Sequence, residues 1–241
     1  MKFFLAPMQG LTGYTVRNAF HHHFDYIDKY YTPFIPAAKR MNAKIKRDID
    51  PVNNDGITLI PQAMSIVADE VIDLHRQLVP YGYDEINVNL GCPSGTVVSK
   101  KRGSGILAYP DMLDSFLDDL YTKADFPVSI KTRVGFNDDE LWPRLIEIYS
   151  KYPISELTVH PRVQKDFYKN TPRMDDFALA MQKINPDKTI LCYNGDITDI
   201  NSFNALTDCF PDIDEIMIGR GLFANPALIA ELKGISMDKA E

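Results

Sequence analysis

Two hydrophobic rhythms alternate along this chain. Short runs of strand type at 3–8, 26–34, 57–64, 85–92, 128–134, 156–162, 189–194 and 215–219 are separated by stretches in which apolar residues recur every three or four positions. Over 110–124, Met112, Leu113, Phe116, Leu117 and Leu120 fall on one face of a helix. Leu141, Trp142, Leu145, Ile146 and Tyr149 repeat that stripe, and Val71, Leu74 and Leu78 form a shorter one. Each strand–helix step averages about thirty residues, the length a parallel crossover requires. The pattern predicts an α/β fold: a (β/α)8 TIM barrel of near-minimal size, with 1–241 as a single domain. A doubly wound open sheet is the competitor. That fold opens on a glycine-rich turn, and the segment "APMQGLTGYT" after the first strand contains no GxGxxG.

A barrel places its chemistry at the carboxyl ends of its strands. Here those ends read Pro7-Met8-Gln9, Gln62-Ala63-Met64, Asn89-Leu90-Gly91-Cys92, Lys131-Thr132-Arg133, His160-Pro161-Arg162, Asn194-Gly195-Asp196 and Gly219-Arg220-Gly221. Seven of the eight apolar strands therefore end in polar or reactive groups on one rim. Gly195 and Gly219 follow strands seven and eight, where barrels commonly bind phosphate through backbone N–H groups. Glycines there also serve tight turns, but Arg220 beside the second favours an anion, which a guanidinium pairs bidentately. A strand-end lysine such as Lys131 can simply reach solvent. Sharing the rim with His160 and Gln62, it reads instead as a fixed donor that stabilises negative charge on a cofactor ring. His160 taken alone is equally compatible with a buried, backbone-satisfied histidine.

The remaining composition narrows the function class. The longest apolar runs fall well short of the ~20 residues of a membrane span, and "MKFFLAPMQG" is too short in its apolar part for a secretory signal. A cytoplasmic monomer without a membrane partner is expected. Three scattered cysteines, Cys92, Cys192 and Cys209, give neither a disulfide framework nor a zinc-type CxxC. No metal is expected: His21, His22 and His23, at about 100° intervals around a helix, do not converge on one ion. A net charge of −7 argues against a general nucleic-acid binder. Local basic clusters nevertheless occur at Lys39, Arg40, Lys44, Lys46 and Arg47, and at Lys100, Lys101 and Arg102. Cys192, in "TILCYN", and Cys209, in a helix, read as small buried hydrophobes. Cys92 differs. It ends the fourth strand on the functional rim, and the loop beyond it carries Pro93, Gly95, Gly103 and Gly105 and is expected to be mobile. A thiol so placed can be a nucleophile, a metal ligand or a proton donor, and its sequence neighbours do not choose among them.

The rim segments, in order and spacing, resemble those of the tRNA-dihydrouridine synthases, FMN-dependent flavoproteins on a (β/α)8 barrel. The matching stretches are "LAPMQGLTGYTVR", "INVNLGCPSGTVVSKKRGSGIL", "VSIKTRVG", "LTVHPR", "CYNGDI" and "IMIGRGLFANP". The most specific are GCP with Val97 and Gly103 at the family's spacing, joined to the NGD and GRG pair. The resemblance implies that Pro7, Met8, Gln9, Gln62, Lys131 and His160 line the isoalloxazine or ribityl chain of FMN. Asn194, Gly195, Asp196, Gly219 and Arg220 would hold its ribityl-phosphate end. It further implies that NADPH reduces the flavin, that flavin N5 delivers hydride to C6 of a uracil in tRNA, and that Cys92 delivers a proton to C5. A thiol with a pKa of about 8.5 is largely protonated near neutrality, which suits that role. Asn89, Arg162, Tyr168 and the two basic clusters become candidates for contact with tRNA. Two departures stand out: Pro161 replaces the glycine that often follows the family's histidine, and the chain ends at Glu241, where members continue into a helical tRNA-holding domain. The alternatives are an FMN enzyme of the dihydroorotate dehydrogenase type, whose NxSCPN pattern is missing, and a non-catalytic RNA-binding barrel.

Overall fold

The structure, a computed structural model, describes residues 1–37 and 40–235. Its ten strand segments form one sheet in which the strands pair in parallel. Two pairs of segments are single strands interrupted at proline, so the ten make eight: β1 Lys2–Leu5, β2 Lys29–Tyr31 resuming at Ile35–Pro36, β3 Leu59–Ile60 resuming at Gln62–Met64, β4 Ile86–Leu90, β5 Val128–Gly135, β6 Glu156–Val163, β7 Ile190–Tyr193 and β8 Glu215–Ile218. Pro33 and Pro61 cause the interruptions, because neither can donate to the ladder. The β2–β3 register moves from Tyr31↔Ile60 to Ile35↔Ala63, so β2 carries one extra residue there. With β1 bonded to both β2 and β8, the eight strands close on themselves and leave no edge. All eight strands read from the hydrophobic pattern are present, each shifted at its ends by a few residues at most.

Alternation along the strands sorts the side chains. Ile86, Val88 and Leu90 on β4, Val128, Ile130 and Val134 on β5, and Leu157 and Val159 on β6 belong to the large buried cluster shared with the helices. Their neighbours Asn87, Asn89, Ser129, Lys131, Arg133, Thr158 and His160 face the barrel axis instead, where they meet across strands. Helices Ala68–Leu78, Pro110–Lys123 and Trp142–Tyr149 supply the outer layer through the stripes read from sequence, with Leu74, Leu117, Trp142 and Leu145 buried. Each such aliphatic side chain contributes roughly 1.5–3 kcal/mol by leaving water. Phe4, Ala6, Tyr31, Ile60, Cys192 and Met217 form a separate buried cluster. At the amino-terminal end Glu156 is satisfied by Tyr31 Oη (2.7 Å), Thr158 Oγ1 (2.9 Å) and Lys29 Nζ (2.6 Å). Among the described residues no helix is long and apolar enough to cross a membrane.

The proline that departs from the family pattern sits at an irregularity the fold can accept. Register between β5 and β6 steps from Arg133↔His160 to Gly135↔Val163, placing one extra residue on β6 around Pro161. A bulge leaves a backbone N–H unpaired in any case, so a residue without one is tolerated there. Cys209 also departs from expectation: it is exposed, at the last residue of helix Ile200–Cys209, whereas Cys192 is fully buried.

Candidate functional site

A relay of amide side chains builds the site's first wall. Asn87 Nδ2 donates to Ser129 Oγ (3.0 Å), Gln62 Nε2 to Asn87 Oδ1 (2.8 Å), and Asn89 Nδ2 to Gln62 Oε1 (2.7 Å). Asn89 Oδ1 then accepts the N–H groups of Gly91 (3.1 Å) and Cys92 (2.9 Å). Each amide must present oxygen to a donor and nitrogen to an acceptor, so the relay fixes every member's orientation. Its last link sets the backbone that carries the thiol.

The loop after Cys92 is tied down rather than mobile. Gly103–Leu107 are buried, Ser104 donates to the Cys92 carbonyl through N–H (3.1 Å) and Oγ (2.8 Å), and Gln164 Nε2 donates to the Pro93 carbonyl (2.9 Å). Gly103 permits this closeness: at φ +55°, a Cβ there would lie 2.8 Å from the Cys92 carbonyl oxygen and 3.0 Å from Cys92 Cβ. Gly103→Ala is expected to destabilise the protein by about 1–3 kcal/mol and to displace the thiol. A urea midpoint equal to wild type would contradict that packing.

On the strand beside the relay, where Lys131 is the register partner of Asn89, Lys131 Nζ donates to Asn194 Oδ1 (2.5 Å), and Asn194 Nδ2 donates to the Met217 carbonyl (2.7 Å). Asp196 accepts from both Arg162 and Arg220, the latter at 2.6 Å. Burial opposes its charge, but the two guanidinium groups hold Asp196 below the usual carboxylate range. Arg162, 1 % exposed, also donates to the carbonyls of Lys169 (2.9 Å) and Asn170 and lies 3.2 Å from His160 Nε2. Arginine has no acceptor, so Nε2 accepts and the imidazole is neutral. Burial, reinforced by Arg133, Lys131, Arg162 and Arg220, pushes His160 well below its ordinary value, in agreement with that geometry.

The electrostatics also bear on the two groups with most chemistry. Burial pushes the Lys131 ammonium down to about 7, and the like charge of Arg133 adds to the effect. Burial pushes the Cys92 thiol up, against the Ser94 N–H, Arg133 and Lys131. Cys92 is therefore a protonated thiol at neutral pH, which disfavours a nucleophile and suits an acid.

Pro7, Met8, Gln9, Gln62, Asn89, Cys92, Lys131, His160, Tyr168, Asn194, Gly195, Asp196, Gly219 and Arg220 all line one cleft of about 530 Å³. Arg162 stands behind it, and its guanidinium is not on the surface. The basic cluster lies outside the cleft. Lys44, Lys46 and Arg47 are exposed on helix Ala43–Ile49, which the Tyr14 N–H to Asp48 bond (2.7 Å) and the Arg47 guanidinium over the Tyr14 ring (5.9 Å) join to the segment after β1. Arg40 is exposed and Lys39 lies outside the described residues. Lys100 and Lys101 are exposed, Lys101 over the Tyr109 ring (4.4 Å), and Arg102 pairs with Glu70 (3.1 Å). Sequence reasoning passed over Arg133, which also lines the cleft and donates to the carbonyls of Gly91 (3.0 Å), Val163 (2.9 Å) and Phe167 (2.7 Å). Its signal was strand parity: two residues beyond Lys131, it faces the same way.

A closed parallel barrel whose carboxyl-end cleft combines an amide relay, a buried lysine, a guanidinium–carboxylate cluster and a protonated thiol is the frame of a (β/α)8 enzyme. Solved structures resemble it in fold: morphinone reductase (TM-score 0.63, 11% identity, covering 100% of this chain and 87% of that one) and phosphoribosyl anthranilate isomerase from Thermococcus kodakaraensis (TM-score 0.53, 12% identity, covering 97% and 96%). The sequence profile of the dihydrouridine synthase family matches residues 4–241, and the chain belongs to that family. A probable tRNA-dihydrouridine synthase of Staphylococcus aureus strain Mu50 is 34% identical over 154 residues, 62% of this chain and 46% of that protein. tRNA-dihydrouridine synthase B of Pasteurella multocida is 26% identical over 243 residues, 97% of this chain and 69% of that protein. The match thus spans about half the length of the staphylococcal relative.

Proposed function

We propose that this chain is a cytoplasmic tRNA-dihydrouridine synthase that binds FMN and uses NADPH to reduce the C5=C6 bond of uridine in tRNA. The observation that carries the reading is a half-buried thiol on the rim of a cleft that Lys131, Arg133 and Arg220 also line. The cleft fits FMN. Its volume lies in the range of small-ligand sites, and the donors differ at its two ends as the molecule's do. At one end Arg220 stands beside Gly219, where the backbone is open to close approach by a phosphate. At the other, Gln62 and Lys131 offer an amide and an ammonium to ring heteroatoms. FMN held by these residues would supply the hydride that goes to C6 of the uracil.

The protein's own groups do the rest. Cys92 gives its proton to C5, and the amide relay through Asn89 holds the thiol in place. Neutral His160 adds no second acid to the site, and Lys131, held by Asn194, is a fixed donor beside it. A uridine must leave its stack to reach the cleft, at a cost of a few kcal/mol that contacts outside the cleft repay.

Lys131 gives the cofactor site a pH signature. A ring heteroatom that accepts a hydrogen bond from it favours the ammonium, raising its pKa from about 7 in the free protein. The ammonium is present in both states below pH 7, but above pH 7 binding must take up a proton. FMN affinity is therefore expected to fall as pH rises past 7, by at most tenfold per pH unit. Calorimetry at pH 8 in buffers of different ionisation enthalpy should register proton uptake that is lost in Lys131→Met. The function itself is tested by adding FMN and NADPH to the purified protein and assaying unmodified tRNA for dihydrouridine.

A further inference from the structure

Phe167 holds a position that stability alone disfavours. Its ring is 47% exposed at the mouth of the cleft, and its backbone lies at φ +51°, ψ −95°. Glycine takes such a conformation without penalty, whereas a bulky residue does so only under strain. The Arg133 guanidinium on its carbonyl (2.7 Å) and its own N–H to Gln164 O (3.1 Å) fix it there. Beside it, Tyr168 turns toward the cleft, with Arg220 4.9 Å and His160 6.4 Å from its ring. Exposed Lys165 and Lys169 flank the two aromatics. The intervening Asp166 is buried against Arg173, Asn170 and the Val163 N–H. The segment 165–169 therefore offers two rings and two ammonium groups to solvent while its carboxylate faces inward. Single-stranded nucleic acid takes that surface, stacking bases on rings and laying phosphates against cations.

We propose that Phe167 is the stacking platform for the nucleotide immediately flanking the uridine that enters the cleft. The inference rests on the reading of this chain as a tRNA uridine reductase. The strained backbone holds the Phe167 ring at the cleft mouth, half-exposed Tyr168 follows it with Arg220 over its ring, and Arg133 couples both to the segment that carries Cys92 through its bond to the Gly91 carbonyl. The test compares Phe167→Gly, Phe167→Asn and Phe167→Trp as FMN-loaded enzymes acting on unmodified tRNA. Glycine relieves the strain, so Phe167→Gly should melt at or above the wild-type temperature, while in both Phe167→Gly and Phe167→Asn KM for tRNA rises about 5- to 100-fold with kcat little changed. Tryptophan should keep KM near wild type. A 2-aminopurine placed next to the target uridine should be quenched on binding wild type and Phe167→Trp but not Phe167→Gly. A wild type that reduces no tRNA uridine overturns the functional reading and this inference together. A wild type that does, with KM of Phe167→Gly and Phe167→Asn within twofold of it, overturns the stacking role alone.

Discussion

Cys92→Ala should lower the rate of uridine reduction in tRNA by about 10²–10⁴-fold, the usual contribution of a positioned general acid. FMN binding and NADPH-dependent bleaching of the flavin should persist, because no other group that lines the cofactor end changes. The expectation follows from three facts together. The thiol sits on the rim of a cleft that Lys131, Arg133 and Arg220 also line, burial pushes its pKa up, and Asn89 Oδ1 holds its backbone through two N–H groups. Cys192→Ala is the internal control. That thiol is buried, its pKa driven well up by burial, and it does not line the cleft. Its loss should lower stability modestly and change neither half of the reaction. Single-turnover measurement of flavin reduction and of dihydrouridine formation separates the two steps.

Arg162→Ala should have the largest effect on folding of any change near the cleft, about 3–5 kcal/mol. The guanidinium is 1% exposed and serves Asp196, two carbonyls and His160, so its removal leaves Asp196 with Arg220 alone and the other acceptors without this donor. Flavin should be lost with it, since Asp196 and His160 both line the cofactor cleft. Arg220→Ala provides the contrast: the side chain is exposed, bonded to Asp196 and set over the Tyr168 ring. That variant should fold normally and bind much less FMN. Urea midpoints combined with absorbance near ~450 nm, where a bound flavin absorbs, distinguish the two arginines. An Arg162→Ala protein of wild-type stability would remove the buried cluster from the account.

The contrast between these two arginines shows what the sequence could and could not disclose. Strand ends and apolar stripes were legible because each depends on local periodicity, and the polar rim followed once eight parallel strands were counted. Arg162 was read as a surface contact because a strand-end arginine looks the same whether it faces solvent or the barrel axis. Only the extra residue at Pro161 and the return of the chain through Lys169 and Asn170 decide which. The loop after Cys92 looked mobile because of its glycines. Gly103 is there instead to bring two backbones together, a contact between residues eleven apart that no local pattern records. Pro33 and Pro61 interrupt strands without changing the order of the barrel, since their neighbours resume the same ladder. Phe167 carried no sequence signal at all: its backbone angle and its exposure become visible only in three dimensions.

The most direct test of the whole account is mass spectrometry of tRNA lacking dihydrouridine after incubation with the purified chain, FMN and NADPH. Reduction of one C5=C6 bond adds two hydrogens, so defined uridines should gain ~2 Da, with FMN required and the gain lost in Cys92→Ala. A protein that binds FMN and oxidises NADPH yet leaves every tRNA uridine at its original mass would contradict it.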